Sequence, residues 1–318
     1  MSLAAETGVP GSALALGSSE RRRELLGRLA ELRSARMLAI MDTSTSGPTP
    51  GTLRHIFEHL RALPGRPHNR VALVIFHRPL ATHPHPGLMH EGLDHALRCM
   101  NLMREFTREV EVLVPSAAYG VGTFLAIGAD RLLMHPLGTL GRIGAARGLS
   151  SARHFLALLR EAGIDPQHIE HRGLEQMLAD LRPEQLGQAR YAIERLHHGV
   201  RDLVGGRART RQEAQNEALF DALINEACPL AHPIDRRQAK DTLALPVESM
   251  DSELETILWA LFASYERALG LGPSGVSASQ DAPVRALIES SIMCHAHLSE
   301  ASEMSGWVRV TDEEEALH

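Results

Sequence analysis

The most constraining feature of this chain is its alternation of short apolar runs with longer segments of helical periodicity. Val71–Phe76 is the strongest run, apolar throughout and rich in β-branched residues, and it reads as a strand. Met37–Met41, Val110–Val114 and Arg131–Met134 read as further strands. Between them lie helical patterns. Glu20–Arg36 carries Leu25, Leu29 and Leu32 on one face, and Leu53, Ile56, Phe57 and Leu60 mark a helix closed by Pro64-Gly65. Leu88–Phe106 is a long helix, and Gly122–Gly128 is the start of a small-residue one. Strands alternating with helices of this length predict βαβ units, an α/β fold and a mainly parallel sheet. Sites in such sheets lie at the carboxyl ends of the strands, which here are the His77–Gly87 loop and the Pro115–Gly122 turn.

The second half is more helical. Ser150–Val204 has breaks at Asp165-Pro166 and Pro183, Arg207–Ala227 reads as another helix, and Ala231–Leu245 as a loop with a short helix. Leu254–Leu269 is amphipathic and contains Trp259, Gly270–Ala282 is a Gly/Ser-rich linker, and Val284–Ile288 is a late strand before the solvated acidic run Asp312–Glu315. The expected organisation is a disordered lead-in over 1–19, a core over 20–205, a helical region over 206–270 completing the fold, and a linker, late strand and acidic tail over 271–318. A net charge of −6 argues against a general nucleic-acid binder. Cys99, Cys228 and Cys294 are far apart without CxxC spacing, which predicts reduced thiols and a cytoplasmic setting. The first residues lack the pattern of a signal peptide, and no apolar run is long enough to span a membrane.

Four segments, taken together, resemble the serine dehydrogenase proteinase family, a bacterial and archaeal group with a ClpP/crotonase-like fold. They are Arg70–Pro79, Val114–Gly144, His232–Val247 and Val284–Ser290. With the helix Glu20–Arg36, the resemblance covers roughly residues 20 to 300. It implies a core of βαβ units with a helical C-terminal part, and a homo-oligomer built on trimers, often a hexamer. It also implies a serine-peptidase mechanism, in which a Gly-Gly loop after one strand supplies an oxyanion-hole N–H. A serine in a later strand-to-helix turn is the nucleophile, and the next N–H completes the hole.

The matching positions of this chain keep the scaffold and lose the chemistry. His77 and Pro79 fit the first motif, but Arg78 replaces a small residue and Leu80 and Ala81 replace the glycines. Pro115, Ala117, Ala118 and Thr123 fit the second, but Gly120 occupies the serine position and Val121 supplies the following N–H. Leu140, Gly141 and Ile143 fit the third, while Arg142 replaces a proline and Gly144 an aspartate. The Arg142 charge could block a pocket, bind a carboxylate, or pair with an acid at a subunit contact.

Ser116 and Thr123 are the candidate substitute hydroxyls, each more simply read as bonding the turn or the helix start. His77 and His135 follow strands and are candidate bases, with a structural role as the plainer reading. A related branch, the signal peptide peptidases, uses a lysine base; the single lysine here, Lys240, reads as a surface or ion-pair residue. His77, His83, His85, His90 and His95 lack the spacing and partners of a zinc site, and no metal is expected. The glycines of Gly120–Gly128 do not match a dinucleotide fingerprint, so no cofactor is expected.

The sequence therefore favours a catalytically degenerate serine-peptidase-like protein, acting as a scaffold, partner-binding or regulatory protein. Its expected partners are copies of itself and another protein. Gly173–Val204 and Leu254–Leu269 are the expected subunit contacts, on the premise that their apolar faces lie outside the core. The alternatives are an active serine peptidase with a displaced or replaced nucleophile, and a crotonase-like acyl-thioester enzyme, for which no acidic base is placed.

Overall fold

The computed structural model describes residues 9–10, 16, 19–44, 50–65, 67–78, 86–141, 183–205, 216, 219–220, 222–223, 233–271, 284–299 and 306–311. Leu80, Ala81, Arg142 and Gly144 lie outside these residues, as do His83, His85 and most of Ser150–Pro183 and Arg207–Ala227.

The expected α/β alternation is present. A parallel run is formed by β2 (Arg36–Asp42), β3 (His68–His77), β4 (Thr107–Val114), β6 (Arg131–Met134) and β9 (Val247–Glu248). The crossovers are α2 (Pro50–Ala62), α3 (Pro86–Phe106) and α4 (Val121–Gly128), so successive strands are joined as βαβ units. The strands are apolar on both faces because helices cover both. On one face Leu38, Ile40, Leu73, Ile75 and Val112 pack against α2, α3, α4 and α5 (Pro183–Gly205). On the other, Met37, Met41, Val74 and Phe76 pack against α1 (Ser19–Arg33) and α6 (Ser252–Ala268).

That packing bears on the premise for the subunit contacts. Leu196, Val200 and Leu203 of α5, and Leu258, Leu261 and Phe262 of α6, are buried inside this chain. Burying these side chains contributes about 1.5–3 kcal/mol each, so these residues of the two apolar faces are already covered within the chain.

The C-terminal part also differs from expectation. In place of one late strand there are three, β10 (Val284–Ser290), β11 (Cys294–Leu298) and β12 (Gly306–Thr311). They extend the sheet antiparallel from β2, in the order β2-β10-β11-β12. Within the expected lead-in, β1 (Val9–Pro10) pairs parallel with β12, and Leu16 is buried beside α1. Arg22 of α1 is fully buried and bonds Glu289 of β10 at 2.6 Å and the Leu16 carbonyl at 2.6 Å.

Charges close the α1 face of the parallel sheet near the amino ends of its strands. Arg33 grips both oxygens of the fully buried Glu111 at 2.8 Å and reaches Glu248 at 3.1 Å. Arg70 and Arg131 both bond Glu109, at 2.8 and 2.6 Å. The opposite, carboxyl end is closed by short strands. β5 (Ala117–Ala118) pairs parallel with the last residue of β3, β7 (Thr139–Leu140) pairs parallel with β5, and β8 (Ile234–Asp235) pairs antiparallel with β7.

Candidate functional site

The turn from β5 into α4 has Gly120 at its apex, with φ 54° and ψ −115°. Side-chain-bearing residues avoid this conformation, and glycine adopts it freely. Gly120 is also the N-cap of α4 and provides no side-chain cap. A sharp strand-to-helix turn of this kind is the backbone shape that presents a nucleophile in α/β-hydrolases. Here it presents no side chain. A Cβ built on Gly120 would lie 3.4 Å from Cε1 and 3.6 Å from Nδ1 of His77, an ordinary contact.

His77 ends β3, in register with Ala118 of β5 on one side and Asp42 of β2 on the other. Its Nδ1 lies 2.5 Å from the Tyr119 carbonyl, and the Tyr119 N–H donates to the His77 carbonyl at 2.8 Å. The side chain is 5% exposed. Its Nε2 is buried without a hydrogen-bond partner among the described residues.

Next to the ring is a small cavity of about 10 Å³. Ile40 and Asp42 of β2, Ile75 and His77 of β3, and Val121, Gly122 and Leu125 of α4 line it, together with residues of α2 and α3. It sits at the carboxyl ends of the parallel strands, where the alternation of elements placed it. His95 also lines this cavity, so of the five-histidine run it is the one whose described side chain joins His77. The thiol of Cys99, another wall residue, is pushed up to about 12 by burial, which keeps it a neutral apolar wall.

Sequence reading missed Asp42. It directly follows the run Met37–Met41 and ends its strand, and that placement is the signal that could have revealed it. Its carboxylate is 5% exposed, accepts the Ser44 N–H at 2.7 Å and lies on the cavity face beside His77.

The other candidates separate. The Thr123 hydroxyl is fully buried, 2.7 Å from the Ala118 carbonyl and 3.0 Å from the Gly141 carbonyl, and it accepts the Gly141 N–H at 3.1 Å. It ties α4 to β5 and to the end of β7. Ser116 is half-buried, and its carbonyl accepts the Thr139 N–H at 2.6 Å. His135 lies on the opposite face of the sheet, stacked on Trp259 of α6 with centroids 5.1 Å apart, and burial lowers its basicity. Lys240 is exposed on a π-helical turn (Gln238–Thr242). Among the described residues, the cluster with metal-ligand spacing lies elsewhere, at His55, Glu58 and His295.

No protein-family model matches the chain, and no curated protein does. Among solved structures, an enoyl-CoA hydratase/isomerase from Marinobacter aquaeolei is similar at 13% identity, over 77% of this chain and 73% of that one, with a TM-score of 0.30. A value of 0.30 supports no transfer of site or activity. Among the described residues, no helix is long and apolar enough to cross a membrane.

Proposed function

We propose that this protein is a catalytically degenerate member of the ClpP/crotonase-like hydrolases, whose scaffold serves partner binding or regulation in a homo-oligomer. The observation that carries this reading is Gly120. It holds the turn of a nucleophile elbow at φ 54° and ψ −115°, beside a buried histidine, with no hydroxyl to activate. A serine nucleophile needs both a side chain and a base. The candidate substitute hydroxyl of Thr123 is held by the backbone of two other elements. The parallel sheet with β5, β7 and β8 across its carboxyl end is compatible with the fold that the sequence resemblance implies.

The test is activity-based labelling with a fluorophosphonate probe, alongside casein digestion, on the unmodified chain and on Gly120→Ser. The expected outcome is no labelling of the unmodified chain. Labelling at Ser116 or Thr123 would overturn the reading. Sedimentation velocity checks the oligomer: a trimer or hexamer is expected, and a monomer at micromolar concentration would remove that part.

A second reading is favoured by the mostly apolar cavity at the amino end of α4. A crotonase-like acyl-thioester site needs no serine, because backbone N–H groups polarise the carbonyl. Thermal melting with an acyl-thioester ligand separates the two: a saturable rise in Tm favours this reading, and none favours the first.

A further inference from the structure

Away from the Gly120 turn, α2 packs beneath the antiparallel extension of the sheet and brings three histidines and a carboxylate together. His55, Glu58 and His59 are spaced i, i+3 and i+4, so they share one face of the helix. That face meets β11 at His295. His55 is 3%, His59 0% and His295 2% exposed, a concentration of imidazole that a core does not need for packing.

We infer that His55, Glu58 and His295 form a site for a divalent transition metal of the zinc class, with His59 as the residue that positions His295. One ligand atom from each of the three lies within 4.8 Å of the others. His55 Nδ1 is 3.2 Å from Glu58 Oε2, and His295 Nε2 is 3.9 Å from the same oxygen. Zinc binds nitrogen and carboxylate oxygen at about 2.0–2.2 Å, so tetrahedral ligands stand roughly 3.4 Å apart. Two edges of the triangle, 3.2 and 3.9 Å, stand close to that spacing, and the third is within 4.8 Å.

The surrounding contacts are those a metal ligand requires. His59 Nε2 lies 3.1 Å from His295 Nδ1, and His59 Nδ1 lies 2.8 Å from Ser290 Oγ. With a cation on His295 Nε2, the His295 Nδ1–H donates to His59 and the His59 Nδ1–H donates to Ser290. Arg54 holds Glu58 Oε1 at 3.0 Å, leaving Oε2 toward the histidines. Glu58 is 31% exposed and forms the rim, so the fourth position opens to water on its side.

The order His-x-x-Glu-His over His55–His59 is also that of a zinc-peptidase helix, in which both histidines ligate and the glutamate is the base. Here both nitrogens of His59 face other protein groups, so the ligand set is different.

The experiment uses the full chain without a polyhistidine tag, stripped with chelator and titrated with Zn²⁺ and Co²⁺. Trp259→Phe leaves Trp307, whose ring centroid is 5.1 Å from that of His55, as the single fluorescent reporter. The expected result is one saturable equivalent per chain, a change in Trp307 emission, and the visible bands of tetrahedral Co²⁺. Glu58→Gln and His295→Asn each weaken binding by roughly 100-fold or more, and His59→Gln by about 10–100-fold with a changed Co²⁺ spectrum. His198→Asn, on an exposed histidine, leaves binding unchanged. Glu58→Gln replaces a partly exposed side chain by its isostere, so it tests the site even where His295→Asn fails to fold. Absence of saturable binding, or binding that Glu58→Gln leaves intact, overturns the site and leaves an adventitious ion only.

Discussion

Tyr119 and His77 hold one another twice: the Tyr119 N–H donates to the His77 carbonyl at 2.8 Å, and His77 Nδ1 meets the Tyr119 carbonyl at 2.5 Å. A carbonyl can only accept, so Nδ1 is the donor of this contact. The pair fixes the ring and the tautomer without help from a carboxylate. It also pins the residue before Gly120 to the end of β3, so the turn keeps its shape whatever stands at its apex.

The first prediction follows from that geometry. Gly120→Ser is sterically accepted, because its Cβ meets His77 Cε1 at 3.4 Å, but it carries backbone strain of about 1–3 kcal/mol. Denaturant unfolding reads the loss. The new hydroxyl gains fluorophosphonate labelling, and adding His77→Gln lowers that labelling by about 100-fold. Equal labelling with and without His77 would exclude the imidazole as a base.

Thr123 and Ser116 are expected to diverge. Thr123→Val leaves buried carbonyls at Ala118 and Gly141 and an N–H at Gly141 without their hydroxyl partner, costing about 1–3 kcal/mol. Ser116→Ala changes stability by about 0.5 kcal/mol or less. A comparison of urea midpoints at constant m decides this, and similar losses for both would refute the assignment of Thr123 as the structural hydroxyl.

Arg22 and Glu289 are both fully buried, and Arg22 lies 5.5 Å from the Tyr265 ring centroid. Glu289→Ala strands a buried guanidinium and costs about 3–5 kcal/mol, whereas the double change Arg22→Met/Glu289→Leu recovers most of that loss. Chemical denaturation of the two variants is the measurement; a double variant no better than the single one contradicts the pairing.

Hydrogen bonds and charge from Arg70 and Arg131 outweigh burial and hold the Glu109 carboxyl below its ordinary value of 4.5. The unfolded chain therefore binds this proton first as pH falls. The stabilisation from Glu109 is fully present above pH 4.5 and is lost as pH drops toward the folded-state value. Melting curves across that window should give a shallower acid limb for Glu109→Gln than for the unmodified chain; parallel limbs would contradict the assignment.

The parts of the fold legible in the sequence were those written locally. Arg131–Met134 forms β6 with the expected bounds, and the Gly120 turn sits where the β5-to-α4 step needs a positive φ. The strand β11 escaped notice because histidines interrupt its apolar pattern, and His295 is buried where α2 covers it. The grouping of His59 with His295 was hidden for a related reason. The two are 236 residues apart, and only the adjacency of β2 and β10 brings them together. Asp42 was legible as a strand-ending acid, but its place beside His77 depends on the β2–β3 register.

The antiparallel extension has a consequence for how the chain is made. β2 leaves the ribosome early, and its neighbour β10 begins at Val284. Until then one edge of β2 offers unpaired backbone groups between two apolar faces, and Arg22 has yet to meet Glu289. The sheet cannot close in the order of synthesis. A nascent chain carrying β2 through β9 is an incomplete sheet with an adhesive margin, and it must be shielded or kept dilute until its last strands arrive.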